Sequence, residues 1–182
     1  MNIHPASGTE MSAVAQVLHR MHSQENVTEG SVGATVERAE GWLKDLAKTR
    51  RGVVLVATEA GRFAGCIVVE LESIPLPGAM LVGTLHAERD APHKTALRLM
   101  RECLRVGRRH KKRSVWMGAA NPKNQTRRTY ARMGFQDSGK VLGPARFYVA
   151  PLRDAEKALD ARLMTRSERL ATGGKGNNAQ HL

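Results

Sequence analysis

Apolar residues recur at helical spacing in the first quarter of the chain. Residues 11–23 place their apolar side chains three or four positions apart, which predicts an amphipathic helix. A polar break follows, and a second helix is predicted to begin at a Ser31 cap and to end in the basic run 48–51.

The pattern then changes to short β-branched runs. The runs at 53–57 and 66–71 flank the turn-like segment 59–62 and predict a β-hairpin, and 80–85 reads as a third strand. Further along, the spacing predicts a helix over 93–110, a strand over 114–119, a short helix over 123–133 and strands over 135–142 and 145–150.

The resulting order, α-α-β-β-β-α-β-α-β-β, predicts a mixed α/β (α+β) domain over residues 1–151. Such an order packs best as a sheet of about six strands with helices on both faces. A polar, helix-prone segment predicts a C-terminal helical extension over 152–172, and the Gly- and Asn-rich end predicts a disordered tail over 173–182.

Composition excludes several classes of protein. Of the 182 residues, 41% are hydrophobic and 25% charged, a globular balance that excludes wholesale disorder. The start reads neither as a signal peptide nor as a membrane span, so a cytoplasmic protein is predicted. Cys66 and Cys103 read as free buried thiols in a reducing compartment, and the His19–His22 pair has no further ligand, so no metal is predicted.

The net charge is strongly positive. With 29 Lys and Arg against 17 Asp and Glu, the formal charge is +12. Such an excess attracts anions, whether nucleic acid, a membrane surface, an acidic protein or a phosphorylated cofactor; the alternative is a bias that serves solubility alone.

Two joints between a strand and a helix are candidates for chemistry. Residues 87–94 lead from the third strand into the basic helix, and residues 121–124 lead from the next strand into the short helix. A strand that turns directly into a helix exposes unpaired amides and a positive dipole end, which suit an anion. If the two strands are parallel neighbours, a cleft forms between their carboxyl ends.

The second joint carries a family resemblance. Asn121–Asn124, followed by Tyr130–Phe135 in this element order, resembles the closing motif of the GNAT superfamily of N-acetyltransferases over roughly residues 10–150. The segment His19–Val27 further resembles small acetyltransferase-like proteins encoded by tailed phages. The resemblance implies the GNAT fold, acetyl-CoA as co-substrate, and acyl transfer to a primary amine by direct attack.

The same resemblance implies where the cofactor binds. The loop before the basic helix would hold the pyrophosphate, although Pro92 and Lys94 stand where the family has small residues. Amides near the end of the preceding strand would polarise the acyl carbonyl. The implied cofactor-binding residues are Leu85, Ala87, Arg89, Lys94, Thr95 and Asn124.

Three catalytic residues are proposed on the same basis. Tyr130 matches the tyrosine that protonates the leaving thiolate in active relatives, and its alternative role is to pack beneath the sheet. No carboxylate lies on the strand at 80–85, so the candidate bases are Glu70, which shares a strand face with Glu72, and His86 at the strand end. A water chain is the alternative.

One face of the predicted helix over 93–110 is basic. Such a stripe is either an ordinary charged outer face or a surface for the phosphate backbone of a nucleic acid. Its members are Arg98, Arg101, Arg105, Arg108 and Lys112.

Two functions are therefore carried forward. The first is an acetyl-CoA-dependent N-acetyltransferase whose partners are a small-molecule acyl donor and an unidentified acceptor amine. The alternative is a catalytically inactive GNAT-fold phage protein that binds nucleic acid or acts within the virion, in the host cytoplasm. A homodimer is one option for either, and no membrane partner is predicted.

Overall fold

A computed structural model describes residues 1–25, 32–72, 77–120, 124–142 and 145–164. Within them lie seven strands, five α-helices and a short 3-10 turn over Val32–Ala34. The strands are β1 (Asn2–Pro5), β2 (Gly52–Glu59), β3 (Arg62–Glu70), β4 (Ala79–Ala87), β5 (Ser114–Ala120), β6 (Gln136–Leu142) and β7 (Ala145–Pro151). The helices are α1 (Gly8–Glu25), α2 (Val36–Lys48), α3 (Thr95–Arg109), α4 (Asn124–Arg132) and α5 (Leu152–Leu163).

The seven strands form one mixed sheet in the order β1-β2-β3-β4-β5-β7-β6. Neighbouring strands are antiparallel except for β4 and β5, which are parallel and joined by α3. The mixed α/β fold class is confirmed, and so is the parallel pair that the cleft required.

Each face of the sheet has its own core. On one face α1 and α2 cover Val56, Cys66 and Val68, and on the other α3 and α5 cover Ile67 and Met80. The alternation of β3 side chains explains this division, because successive residues point to opposite faces. Helices therefore lie on both faces, as the element order predicted.

Two details differ from the prediction, and two predicted features cannot be compared with the structure. The sheet has a further strand, β1, which the short segment ending in Pro5 gave little reason to expect; it lies at the sheet edge, where proline is tolerated. The second helix is capped by Thr35, whose hydroxyl accepts from the Arg38 amide at 3.1 Å. Ser31 and the predicted tail over 173–182 lie outside the described residues.

The C-terminal helix belongs to the main core. In α5, Leu152, Ala155 and Leu159 are buried in the same cluster as the α3 side chains. The segment predicted as an extension therefore completes the domain as far as residue 164, because an apolar stripe on α5 needs a partner surface and α3 offers one.

Candidate active site

A cleft opens between the two parallel strands. The pairing of β4 with β5 ends at Val82 and Met117, yet each strand runs on. Beyond that point β4 remains paired with β3 as far as Ala87, and β5 remains paired with β7 as far as Ala120. The two strands must therefore diverge, and their carboxyl ends form the walls of a wedge.

A β-bulge in β4 marks the apex of this cleft. Val68 pairs with Thr84 and Val69 with Val82, so Gly83 is the extra residue of β4. Bulges bend a strand and increase its twist, and they are frequent beside active sites. The bend directs β4 away from β5.

The loop from β4 into α3 places backbone amides at one end of the cleft. Lys94, the residue before α3, has a left-handed backbone conformation with φ of 68°, which glycine usually adopts. The Thr95 amide and hydroxyl both donate to the carbonyl of Pro92, at 3.1 and 2.6 Å. No described carbonyl accepts from the amides of His93 and Lys94, so these two can donate to an anion.

The acidic residues of this loop are neutralised by cations from elsewhere in the fold. Glu88 Oε1 lies 3.0 Å from the Arg20 guanidinium of α1 and 3.3 Å from His86 Nε2. The hydrogen bond from Arg20 is the main cause that lowers the pKa of Glu88 below its usual value. Asp90 lies 3.0 Å from the Arg62 guanidinium. Pairing removes much of the repulsion that these carboxylates would exert on a phosphate.

The other predicted cofactor residues are placed as follows. Leu85 is half-buried beyond the last β4–β5 pair, and Ala87 ends β4 opposite Gly65. Arg89 is exposed on the loop, whereas Lys94 Nζ lies 3.5 Å from the Leu163 carbonyl at the end of α5. Thr95 is buried, and its side chain is engaged by Pro92.

Tyr130 packs within an aromatic cluster on the α3 side of the sheet. Its ring centroid lies 5.0 Å from that of Tyr148 in an edge-on arrangement and 6.1 Å from that of Phe135. The ring thus has the packing role that the sequence left open, and this contact also holds the phenol in one orientation. Asn124 is the first residue of α4, and its side chain lies outside the described residues.

Glu70 lies at the apex of the cleft on the α1–α2 side. A Cβ built on Gly83 would lie 3.8 Å from Glu70 Oε1, so this carboxylate covers the bulge. Burial raises the pKa of Glu70, and the Arg51 charge opposes that rise. Within the described part of the chain no donor binds the carboxylate, so it is available to accept a proton. Of the other candidate bases, His86 contacts Glu88 and Glu72 is exposed beyond the end of β3.

The basic stripe of α3 is largely paired with acidic residues. Arg101 contacts Asp160 of α5 at 3.1 Å and Arg108 contacts Glu156 of α5 at 3.7 Å. Arg105 contacts Glu102 of its own helix at 2.5 Å. Arg98 and Lys112 form no ion pair with any described residue. Three of the five charges of this stripe are thus balanced by acidic residues within the fold.

Two negative findings apply to the described residues alone. No group of three or more potential metal ligands occurs among them, and no helix among them combines the length and apolar character needed to cross a membrane. Nucleic-acid binding, a homodimer and a cytoplasmic location remain predictions.

Known structures resemble this fold over most of the chain. The ribosomal-protein-alanine N-acetyltransferase of Brucella melitensis aligns with a TM-score of 0.63 over 83% of this chain and 99% of its own, at 16% identity. The PaiA N-acetyltransferase of Thermoplasma acidophilum, solved in complex with coenzyme A, aligns with a TM-score of 0.65 over 82% and 98%, at 11% identity. An acetyltransferase of the GNAT family from Staphylococcus aureus aligns with a TM-score of 0.63 over 83% and 98%, at 12% identity.

The chain has the GNAT fold. No protein-family model matches the sequence, and comparison with curated proteins finds no match either. The predicted GNAT fold is thus confirmed through structure, while the resemblance to phage-encoded proteins is not shown by these comparisons. The TM-scores establish a shared fold, whereas sequence identities of 11–16% leave the individual site residues to be argued from geometry.

Sequence analysis did not identify several residues of this GNAT-fold cleft. Gly83 sits inside an apolar strand, and an isolated strand glycine is a signal for a bulge. Arg20 has no sequence signal, because it reaches Glu88 across 68 positions of chain. Gly118 and Trp116 on β5 read only as strand residues.

Proposed function

We propose that this protein is an N-acetyltransferase that uses acetyl-CoA and transfers the acetyl group to a primary amine. The observation that carries the proposal is the Glu70 carboxylate over Gly83, which no donor among the described residues binds, at the point where β4 and β5 diverge. The GNAT fold, shared with a neighbour solved with coenzyme A, supports the choice of acyl donor.

The loop before α3 fits the pyrophosphate of this donor. The left-handed conformation at Lys94 is retained without a glycine, and the amides of His93 and Lys94 have no carbonyl partner among the described residues. The positive end of the 15-residue helix α3 and the exposed Arg89 add favourable charge. Acetyl-CoA supplies the acetyl group as a thioester, in which the carbonyl carbon is activated toward an amine.

The remaining chemistry is proton transfer by this chain's own residues. Glu70 accepts one proton from the bound ammonium and passes it to solvent, and then accepts the proton that the nitrogen loses as the resulting neutral amine attacks the acetyl carbonyl. This role suits a carboxylate whose pKa is raised by burial. The C–N bond forms as the C–S bond breaks, and Tyr130 gives its phenolic proton to the departing sulfur. The edge-on contact of Tyr130 with Tyr148 fixes the orientation of the phenol and supports this role.

Titration calorimetry with acetyl-CoA and a thiol-release assay test this proposal. Glu70→Gln is expected to retain acetyl-CoA binding and to lower kcat by about 10²- to 10⁴-fold, the usual contribution of a general base. Glu37→Gln, which changes an exposed carboxylate in the first turn of α2, serves as the matched control and should retain full turnover. Absence of acetyl-CoA binding by the unmodified protein at millimolar ligand would refute the proposal.

Tyr130→Phe separates the two roles of the tyrosine. Phenylalanine retains the ring that packs on Phe135 and Tyr148, so the fold should be preserved. Turnover should fall by about 10²-fold or more if the phenol supplies the proton. Unchanged turnover in a folded variant would leave Tyr130 with the packing role alone.

A further inference from the structure

An aromatic surface continues the sheet face on which Glu70 lies. On this face α1 and α2 cover β2 and β3, where Val54, Val56 and Val68 are buried beneath them. Further along the sheet, Trp116 on β5 and Phe147 on β7 are only half-buried. The surface beyond β4 is thus aromatic and partly exposed.

The strand register places Glu70 and Trp116 in one row. Glu70 pairs with Leu81 of β4, and Leu81 pairs with Trp116 of β5. Directly paired residues on neighbouring strands project to the same face. The carboxylate and the indole therefore flank β4 on one side of the sheet, about 10 Å apart at two strand spacings.

Leu81 lies between these two walls, and two glycines lie beyond it along the cleft. Gly83 follows Val82 and Gly118 follows Met117, so both lie one residue past the last β4–β5 pair. A Cβ on Gly83 would face Glu70 Oε1 at 3.8 Å, and one on Gly118 would face the Phe147 ring at 3.4 Å. Without side chains at these positions, a ligand can approach the backbone at the apex of the cleft.

A cation of the protein already rests on this aromatic surface. The ammonium of Lys140 lies 5.3 Å from the centroid of the Trp116 ring, within the range of a cation–π contact. An irregularity in β6 brings it there, because the pairing with β7 skips from Asp137 to Val141. Within it Ser138 Oγ donates to the Phe147 carbonyl at 2.7 Å, and Gly139 has φ of 72°.

We propose that this groove binds the acceptor as a singly charged primary amine carried on an apolar chain or ring. The Glu70 carboxylate attracts the ammonium, Trp116 and Phe147 cover the apolar substituent, and Lys140 competes for the ring in the free protein. A polyamine is disfavoured, because a chain with a formal charge of +12 repels a polycation. That the bound amine is the acceptor rests on the proposed function, but its binding requires no acyl donor.

The test uses the fluorescence of Trp116 in the full chain. The sequence has two tryptophans, so Trp42→Phe leaves Trp116 as the reporter and Trp116→Phe leaves Trp42 as the control. Phenethylamine is expected to change the emission of Trp116 saturably, and 2-phenylethanol, its neutral analogue, is expected to bind at least about tenfold more weakly. Calorimetry repeats the titration with the unmodified protein.

Two substitutions then examine the walls of the groove. Lys140→Met retains the side-chain length without the charge and should tighten phenethylamine binding by roughly two- to fivefold, the strength of an exposed cation–π contact. Glu70→Gln should weaken it by about tenfold. Both residues lie at the surface or are half-buried, so circular dichroism can verify that each variant is folded.

Four outcomes would overturn the inference. The first two are the absence of saturable amine binding in both the unmodified protein and Lys140→Met, and equal binding of 2-phenylethanol and phenethylamine. The other two are tighter binding of spermidine than of phenethylamine, and an affinity for phenethylamine that Glu70→Gln leaves unaltered. Amine binding without acetyl transfer would leave this inference standing and refute the proposed function. If the protein acetylates amines and the groove substitutions leave that activity unaltered, the proposed function stands and this inference is refuted.

Discussion

Replacing Gly83 by alanine tests the floor of the cleft without disturbing the fold. The added Cβ would lie 3.8 Å from Glu70 Oε1 and 3.9 Å from the Val68 carbonyl, both ordinary van der Waals distances. The φ of Gly83 lies outside the left-handed region, so alanine adopts this backbone without strain. Because glycine loses more chain entropy on folding, we expect the substitution to stabilise the protein by up to roughly 0.5–1 kcal/mol.

The same methyl group should impair catalysis. It would occupy the floor beside Glu70, where the amine must approach the carboxylate. A displacement of the reacting group by about 1 Å costs about 10²-fold in rate, so kcat/KM for phenethylamine should fall by a factor of this order. The affinity for acetyl-CoA should change little, because the loop before α3 begins only after Ala87, at the carboxyl end of β4, and does not include Gly83.

Chemical denaturation and the thiol-release assay together decide the outcome. Gly41→Ala is the matched control, since a Cβ on this glycine of α2 would meet nothing within 4 Å. It should raise stability by up to about 1 kcal/mol and leave kcat/KM unchanged. A folded Gly83→Ala variant with the kcat/KM of the unmodified protein would refute the reasoning, because the acceptor would then not pass over the bulge.

Three further predictions concern the core, the loop and the pH profile. Leu159→Ala, at a fully buried position of α5, should lower the free energy of unfolding by about 2–5 kcal/mol in urea denaturation. Lys157→Ala, on the exposed side of the same helix, should change it by less than about 0.5 kcal/mol. Equal effects would mean that α5 does not pack on the core in solution. Lys94→Gly relieves a left-handed conformation and should retain the calorimetric affinity for acetyl-CoA within about threefold, since Nζ lies at the Leu163 carbonyl; a larger loss would assign the ammonium to the pyrophosphate. Burial raises the pKa of Glu70 above its ordinary value of 4.5, so kcat/KM should rise with pH through the raised value. The protein should also lose stability as pH rises from 4.5 through that value, and Glu70→Gln should not show this loss. An acid limb at or below the ordinary value would contradict this reasoning.

The element order and its periodicities followed from the sequence, because each depends on local spacing. The helical stripe of α2 and the β-branched runs of β2 and β3 are read over a few residues, and their burial agrees with the reading. The Tyr130–Phe135 motif then suggested the fold, which structural comparison confirmed. The strand β1 was not predicted, since four residues ending in proline carry too little pattern to indicate an edge strand.

The site depended on contacts between distant parts of the chain. Glu88 and Asp90 lie in the anion loop, where their charges alone would repel a phosphate, and the fold brings Arg20 and Arg62 to neutralise them. The family resemblance implied Lys94 as a phosphate ligand, which stays a prediction, and the fold adds the Leu163 carbonyl of α5 as an acceptor for its ammonium.

The same limit applies to the basic stripe and to the acceptor groove. The acidic partners of Arg101 and Arg108 lie on α5, and the sequence alone does not show that α5 packs beside α3. Strand register, which arises from pairing across the sheet, places Glu70, Trp116 and Phe147 on the same face. Periodicity determines which face of an element is apolar, but long-range pairing decides which charges meet, and therefore what the surface can bind.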